Sequence, residues 1–169
     1  MKQHHDSATP AHGQQVFTAV AFIHSLIDGE HKVFLAKRAE TKEFLPGVYE
    51  MPGGHIDFGE DIVDGLKREL VEEFNMHIAV GDPFGVFTYV NEVKGSHSIE
   101  VVYFASFTSD LQQLHTNPED HSAFGWFSED EVAQTRNNRV PDNDPEYAII
   151  QKGFALLNNQ PLDFGKPKE

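Results

Sequence analysis

Hydrophobic periodicity divides the chain into short strands and a few amphipathic helices. A β-branched, apolar run from Val16 to Ile23 and a second from Lys32 to Ala36 flank the turn-forming Asp28-Gly29-Glu30, which predicts two paired strands. Thr41 to Gly47 reads as a loop, and Pro52-Gly53-Gly54 is a sharp break. Helical spacing then runs from Glu60 to Phe74, with Asn75 suited to the left-handed residue that closes a helix. Further on, Val86 to Val90 and Ile99 to Phe107 surround Asn91-Glu92-Val93-Lys94-Gly95, the signature of a long hairpin. After a polar loop from Ser109 to Ser122 come a short strand at Phe124 to Phe127, a capping box in Ser128-Glu129-Asp130-Glu131 and a final helix from Glu146 to Leu157. The expected fold is α/β, with a mixed or largely antiparallel sheet.

At about 100° per residue, Ile62, Val63, Leu66, Leu70 and Phe74 form one apolar stripe that must face the sheet. Glu73 projects inside that stripe, Glu69 lies on its border, and Glu72 is next around the same side. Like charges at these spacings repel, the more so when half-buried beside apolar side chains. Lys67 and Arg68 are expected on other faces, so a divalent cation is the natural compensation, and hard oxygen donors point to Mg²⁺ or Mn²⁺. The alternative is a solvated acidic face, but that would set the acids opposite Leu66 and Leu70. Gly53, Gly54 and Gly59 allow close backbone approach at the helix entrance, although a Gly-Gly pair also makes an ordinary turn.

Composition narrows the partners. The 169 residues hold 13 basic against 27 acidic side chains, a net charge of −14, which disfavours duplex nucleic acid and anionic membranes. Any phosphate-bearing ligand would need a bridging cation. With no cysteine, disulfides, thiolate metal sites and thiol nucleophiles are excluded, and a cytoplasmic location is expected. No apolar run is long enough to span a bilayer. Residues 1–13, including His4, His5 and His12, are expected to be a flexible tail, 14–160 the domain, and 161–169 a second tail.

Taken together, Gly54, Glu60 and Arg68-Glu69-Leu70-Val71-Glu72-Glu73-Phe74-Asn75-Met76 resemble the Nudix box: glycine, five residues, Glu, seven residues, then Arg-Glu-apolar-x-Glu-Glu-x-Gly-apolar. Every acidic and apolar position and the arginine match; Asn75 stands where the family has glycine. Pro52-Gly53 resembles the family's lead-in, and the strand order extends the likeness from about Val16 onward. The resemblance implies a Nudix-type α/β/α sandwich around a mixed sheet. It also implies an enzyme that hydrolyses a nucleoside diphosphate linked to another moiety. Carried over by position, Glu69, Glu72 and Glu73 with the Gly53 carbonyl would hold Mg²⁺ (or Mn²⁺), and Glu60 would pair with Arg68. Glu69 is one candidate for the general base. Glu119 is the preferred outside acid, where similar proteins place a further metal-binding glutamate, with Asp120 close behind; a solvated loop acid is the alternative for both.

Arg38, at the end of the second strand, is a candidate for steadying a terminal phosphate, and Gly54 for close approach of the substrate. Tyr49, Phe58, Phe87, Tyr89 and Phe104 include candidates for base stacking, though strand aromatics are usually core. His55 and His121 are candidate phosphate contacts, with an ordinary surface role as the alternative. The Ser-Gln-Pro-Trp-Pro array of NADH pyrophosphatases is absent, as is the proline associated with ADP-ribose hydrolases, which leans toward nucleoside triphosphates. Nucleotide sugars, dinucleotides and a non-catalytic nucleotide sensor are the other readings. The related isoprenoid diphosphate isomerases need a cysteine this chain lacks. The expected partner is a small nucleotide-like substrate, and the sequence does not choose between a monomer and a homodimer.

Overall fold

The computed structural model describes residues 11–136 and 144–159. His4, His5 and the expected C-terminal tail lie outside them. Residues 11–13 were expected to belong to a loose tail. Instead Ala11 N–H donates to the Lys94 carbonyl at 3.0 Å and Gly13 N–H to the Gly95 carbonyl at 2.9 Å, fastening this stretch to the tip of the later hairpin.

Strand β1, Gln15–Ile27, is longer than the apolar run because it serves three partners. Its first part, Gln15 to Ile23, runs parallel to β6 (Ser96–Phe107), while Thr18 to Val20 pair antiparallel with the short β4 (Gly53–His55). Its last residues form the expected hairpin with β2 (Glu30–Arg38). That hairpin closes through Asp28 and Gly29, whose φ angles of 53° and 81° are those of a type I′ turn, the form whose twist matches the flanking strands. The strand order is β3-β2-β1-β6-β5, where β3 is Tyr49–Glu50 and β5 is Ile78–Asn91; β4 lies on β1, and β7 (His121–Phe127) lies on β2. Strand β5 begins eight residues before the expected Val86. Gly81-Asp82-Pro83 breaks its alternation and its pairing register, and Pro83 is tolerated because β5 is the last strand of the path.

Ala19, Ala21 and Ile23 of β1 face helix α1 (Ile62–Phe74), where they pack against Leu66, Leu70 and Phe74. The alternate residues Val20 and Phe22 face α2 (Glu129–Gln134) and α3 (Pro145–Leu157) and pack against Val132, Ile150 and Phe154. Helices therefore cover both faces of a mixed sheet, as the resemblance implied. Burial on both sides explains why the middle of β1 reads as a continuous apolar run rather than an alternation.

Helix α1 starts at Ile62, not at Glu60. The Asp61 carboxylate accepts from the Val63 and Asp64 N–H groups at 2.9 and 3.2 Å and so takes the N-cap, leaving Glu60 in the preceding loop. Asn75 closes the helix in the left-handed region (φ 53°, ψ 36°), so asparagine does the work expected of glycine there. Ser128 and Glu131 make the expected capping box at the start of α2.

Candidate active site

Three glycines shape the ground on which the acids sit. At Gly53, φ is 146° and a Cβ would lie 2.1 Å from the Ala19 carbonyl oxygen, so no side chain fits between β4 and β1. At Gly54 a Cβ would come within 2.6 Å of the Glu69 carboxyl carbon: the missing side chain is the slot that carboxylate occupies. Gly65, inside α1, does the same for Glu60, whose Oε2 would be 2.8 Å from an added Cβ. The sequence reading missed Gly65, although a glycine in the middle of a helix is itself a signal, because it costs about 1 kcal/mol relative to alanine.

Glu60 and Arg68 pair as expected. Arg68 Nε and Nη2 each donate to a Glu60 oxygen at 2.9 Å, and Nη2 also donates to the His55 carbonyl at 3.0 Å. Asp57 N–H adds a third bond to Glu60, so loop and helix are tied at one point. The expectation that Arg68 stands apart from the other acids is wrong: Nη1 donates to Glu69 at 2.8 Å and to Glu72 at 3.2 Å. The long arginine stem folds back over the helix, and the planar fork serves three carboxylates at once. Hydrogen bonds to Glu60 come first in raising the guanidinium pKa.

Glu73 lies beyond that fork. Its Oε2 is buried without a hydrogen-bond partner, 4.0 Å from His121 Nδ1, which also has none. Burial, with the Glu69 charge second, pushes the Glu73 carboxyl well above the usual carboxylate range. Burial also raises Glu69, against the pull of Arg68. His121 is 3% exposed, so an ordinary surface role does not describe it, and it lines the cleft. Its Nε2 lies 3.3 Å from Glu50, which accepts from Arg38 Nη1 at 3.0 Å. Burial works against the Glu50 charge, but Arg38 and His121 outweigh it and hold the carboxyl below its ordinary value. Arg38 lines the cleft, but its Nε is committed to the Phe44 carbonyl and its Nη1 to Glu50, so it also braces the Thr41 to Gly47 loop.

Of the two loop acids, Glu119 is exposed at the cleft edge, and its backbone N–H bonds Asn117 Oδ1. Asp120 is engaged by Lys42 and Asn117. Neither is hydrogen-bonded to the helix acids. The sequence reading passed over Glu50 and Lys42, which sit beside a proline-glycine break and in a loop, where no periodicity marks them.

Most of these groups line a cleft of about 1010 Å³, which Phe87, Tyr89 and Glu100 line as well. Of the aromatic candidates, Phe58 is fully exposed, Phe104 packs on Phe22 and Phe84, and Tyr49 packs on Phe127. Phe87 and Tyr89 remain at the cleft, and Phe44 lies flat on Tyr89 with ring centroids 5.8 Å apart and planes 12° from parallel.

Among the described residues no three acidic or imidazole side chains converge into a finished cation cage. The donor set is nevertheless that of a hard cation: carboxylates on one helix, a glycine-rich strand end, and the partnerless buried oxygen of Glu73.

Residues 17–148 match the profile of the NUDIX domain. The chain belongs to the Nudix domain family. Among curated Nudix relatives it is 29% identical over 122 residues to the human m7GpppN-mRNA hydrolase NUDT17, covering 64% of this chain and 37% of that protein. The nucleoside triphosphatase NudI of Escherichia fergusonii is 26% identical over 117 residues, covering 64% of this chain and 82% of that one. Thus the chain spans less than half the length of the NUDT17 relatives of Homo sapiens and Bos taurus. Among solved Nudix structures, the MutT hydrolase from Burkholderia pseudomallei superposes with a TM-score of 0.58 at 28% identity, over 70% of this chain and 86% of that one. A C. elegans Ap4A hydrolase superposes at 0.67 and 19% identity, over 85% and 98%, and shows the shared Nudix fold. No helix among the described residues is long and apolar enough to cross a membrane.

Proposed function

We propose that this Nudix protein hydrolyses a phosphoanhydride bond in a nucleoside triphosphate, giving the nucleoside monophosphate and pyrophosphate, with Mg²⁺ (or Mn²⁺) as cofactor in the cytoplasm. The observation that carries the reading is the buried, partnerless oxygen of Glu73, next to Glu69 on the wall of a cleft large enough for a nucleotide. Crowded carboxyls so far out of solvent are tolerable when a dication ties them together. Glu69, Glu72, Glu73 and the Gly53 carbonyl would hold it; when bound, it would neutralise the diphosphate and lower the pKa of the attacking water.

The protein's own residues do the rest. Gly54 keeps the Glu69 slot open, and the Glu60–Arg68 pair fixes the loop against the helix, so the acids are held in place before substrate arrives. Arg38 and Lys42 bring positive charge to the acidic cleft, where polyphosphate oxygens are their natural partners. Glu69 is the candidate general base on the helix and Glu119 the one on the facing loop. The triphosphate preference draws on the Escherichia fergusonii relative, most of whose length is matched.

The test is a panel of nucleotides incubated with Mg²⁺, with products identified by mass, comparing the parent with Glu73→Gln. Turnover should fall by roughly 100-fold or more in the variant. Undiminished turnover would sink the metal assignment, and no turnover on any nucleotide would sink the hydrolase reading.

A further inference from the structure

On the face of the sheet that α3 covers, the inward positions of β1 and β6 change character along their length. Val20 and Phe22 on β1, and Val102 on β6, are apolar and lie under α3. Toward the cleft the same alternation continues as Thr18 on β1 and as Glu100, Ser98 and Ser96 on β6, all buried. Glu100 is paired in register with Thr18 on one side and Phe87 on the other, and Tyr89 is paired with Ser98. Of this polar row, Thr18 and Glu100 line the same cleft as the helix acids.

A glutamate that is 7% exposed in the middle of a sheet is costly unless something uses it. Its Oε2 accepts from Thr18 Oγ1 at 3.0 Å, and the Tyr89 hydroxyl lies near it. Among the described residues no arginine or lysine is seen hydrogen-bonded to it. Its titratable neighbours are Tyr89 on β5, Glu50 on β3 and Glu146 on α3, the last bound in turn by Arg136 and the Met51 N–H. Burial, and after it the charge of Glu146, pushes the Glu100 carboxyl up to about 8. The group is therefore protonated at neutral pH, and a carboxylic acid offers one donor and one acceptor side by side. Phe87, Tyr89 and the Phe44 ring stacked on Tyr89 supply the flat apolar surfaces that a heterocycle needs.

We propose that Glu100, as a neutral carboxylic acid, reads the base of the nucleotide: it selects a heterocycle edge presenting an acceptor beside a donor, and disfavours an edge presenting two donors. The proposal deepens the hydrolase reading and rests on it.

The test is calorimetric titration of metal-free protein with the four common nucleoside monophosphates, at pH 7 and pH 9, for the parent, Glu100→Gln and Glu100→Ala. The parent should favour its best base over its worst by about ten-fold or more. Glutamine, also a donor beside an acceptor and nearly isosteric, should keep that ranking at both pH values. Alanine should flatten it at both, and the parent should lose it at pH 9, where binding of the two-donor edge of guanine gains. Far-UV circular dichroism identifies a variant that has failed to fold, and the glutamine variant then decides alone. An unchanged ranking in Glu100→Ala, a ranking lost in Glu100→Gln, or a parent without base preference would overturn the proposal. Hydrolysis of the matching triphosphates is scored separately. Its absence would overturn the hydrolase reading, while the titrations still judge Glu100.

Discussion

Replacing Gly65 with alanine sets two effects of known sign against each other. Helix propensity alone predicts stabilisation of about 1 kcal/mol, because glycine is that much poorer than alanine in a helix interior. The structure predicts the opposite. The new methyl would lie 2.7 Å from Ile56 Cδ1 and 2.8 Å from Glu60 Oε2. Ile56 can turn away, but Glu60 Oε2 is held by Arg68 Nη2 at 2.9 Å and by Asp57 N–H at 3.0 Å. Both side chains of the pair are about one-fifth exposed, so these charge-assisted bonds are only partly screened. Each such bond contributes about 1.5–3 kcal/mol. Losing one and straining the other outweighs the propensity gain, for a net loss of roughly 1–2 kcal/mol. For a domain of this size that is a fall in Tm of about 2–8 °C. Activity should fall as well, because Arg68 is also the partner of Glu69 and Glu72. A thermal melt and a rate measurement on the same preparation check both effects. A variant that melts several degrees higher with its full rate would show that Glu60 moves without cost and that the clamp does not order the site.

Further expectations concern Glu100, Arg136 and the metal. Because the Glu100 pKa is raised by folding, the native state binds this proton more tightly than the unfolded chain, and stability from this group falls as pH rises from about 4.5 to about 8. Glu100→Gln should therefore gain on the parent by up to about 1.4 kcal/mol per pH unit across that window, and melts of both proteins from pH 5 to 9 that run parallel would contradict this. Arg136 is buried against Asp144 and Glu146 at 3.4 and 3.1 Å. Arg136→Leu takes the guanidinium from two buried acids and should cost about 3 kcal/mol or more, read as a drop in denaturation midpoint; an unchanged midpoint would argue against it. EDTA should abolish hydrolysis and added Mg²⁺ or Mn²⁺ restore it, whereas a full rate in excess chelator would exclude the cation.

How much the sequence disclosed depends on where each residue sits. Periodicity revealed both hairpins and the three helices, because burial on one or two faces writes itself into spacing. It revealed Glu73 as well, since an acid in line with Leu66 breaks the pattern. It could not reveal Glu50, which lies in a two-residue strand, or the tie between Arg38 and the Phe44 carbonyl, because loop conformation leaves no period. Arg68 was assigned to the wrong surroundings for a different reason. Helical geometry places its Cα, but the length and flexibility of its side chain decide which acids it meets. Glu100 went unnoticed inside a strand whose other inward residues looked like ordinary core and polar positions, and its meaning depends on where α3 stops covering the sheet.

The parallel pairing of β1 with β6 bears on how the chain acquires its shape. Thr18 and Glu100 are 82 positions apart, so this part of the cleft lining forms only after a large loop has closed. The hairpins and the acid-bearing helix can assemble from neighbouring residues, but the central ladder must wait for distant ones, which makes folding slow for a chain of this size. On the ribosome, the apolar first strand is exposed long before its partner has been made. The interval between its emergence and the arrival of β6 is when this molecule is most exposed to aggregation.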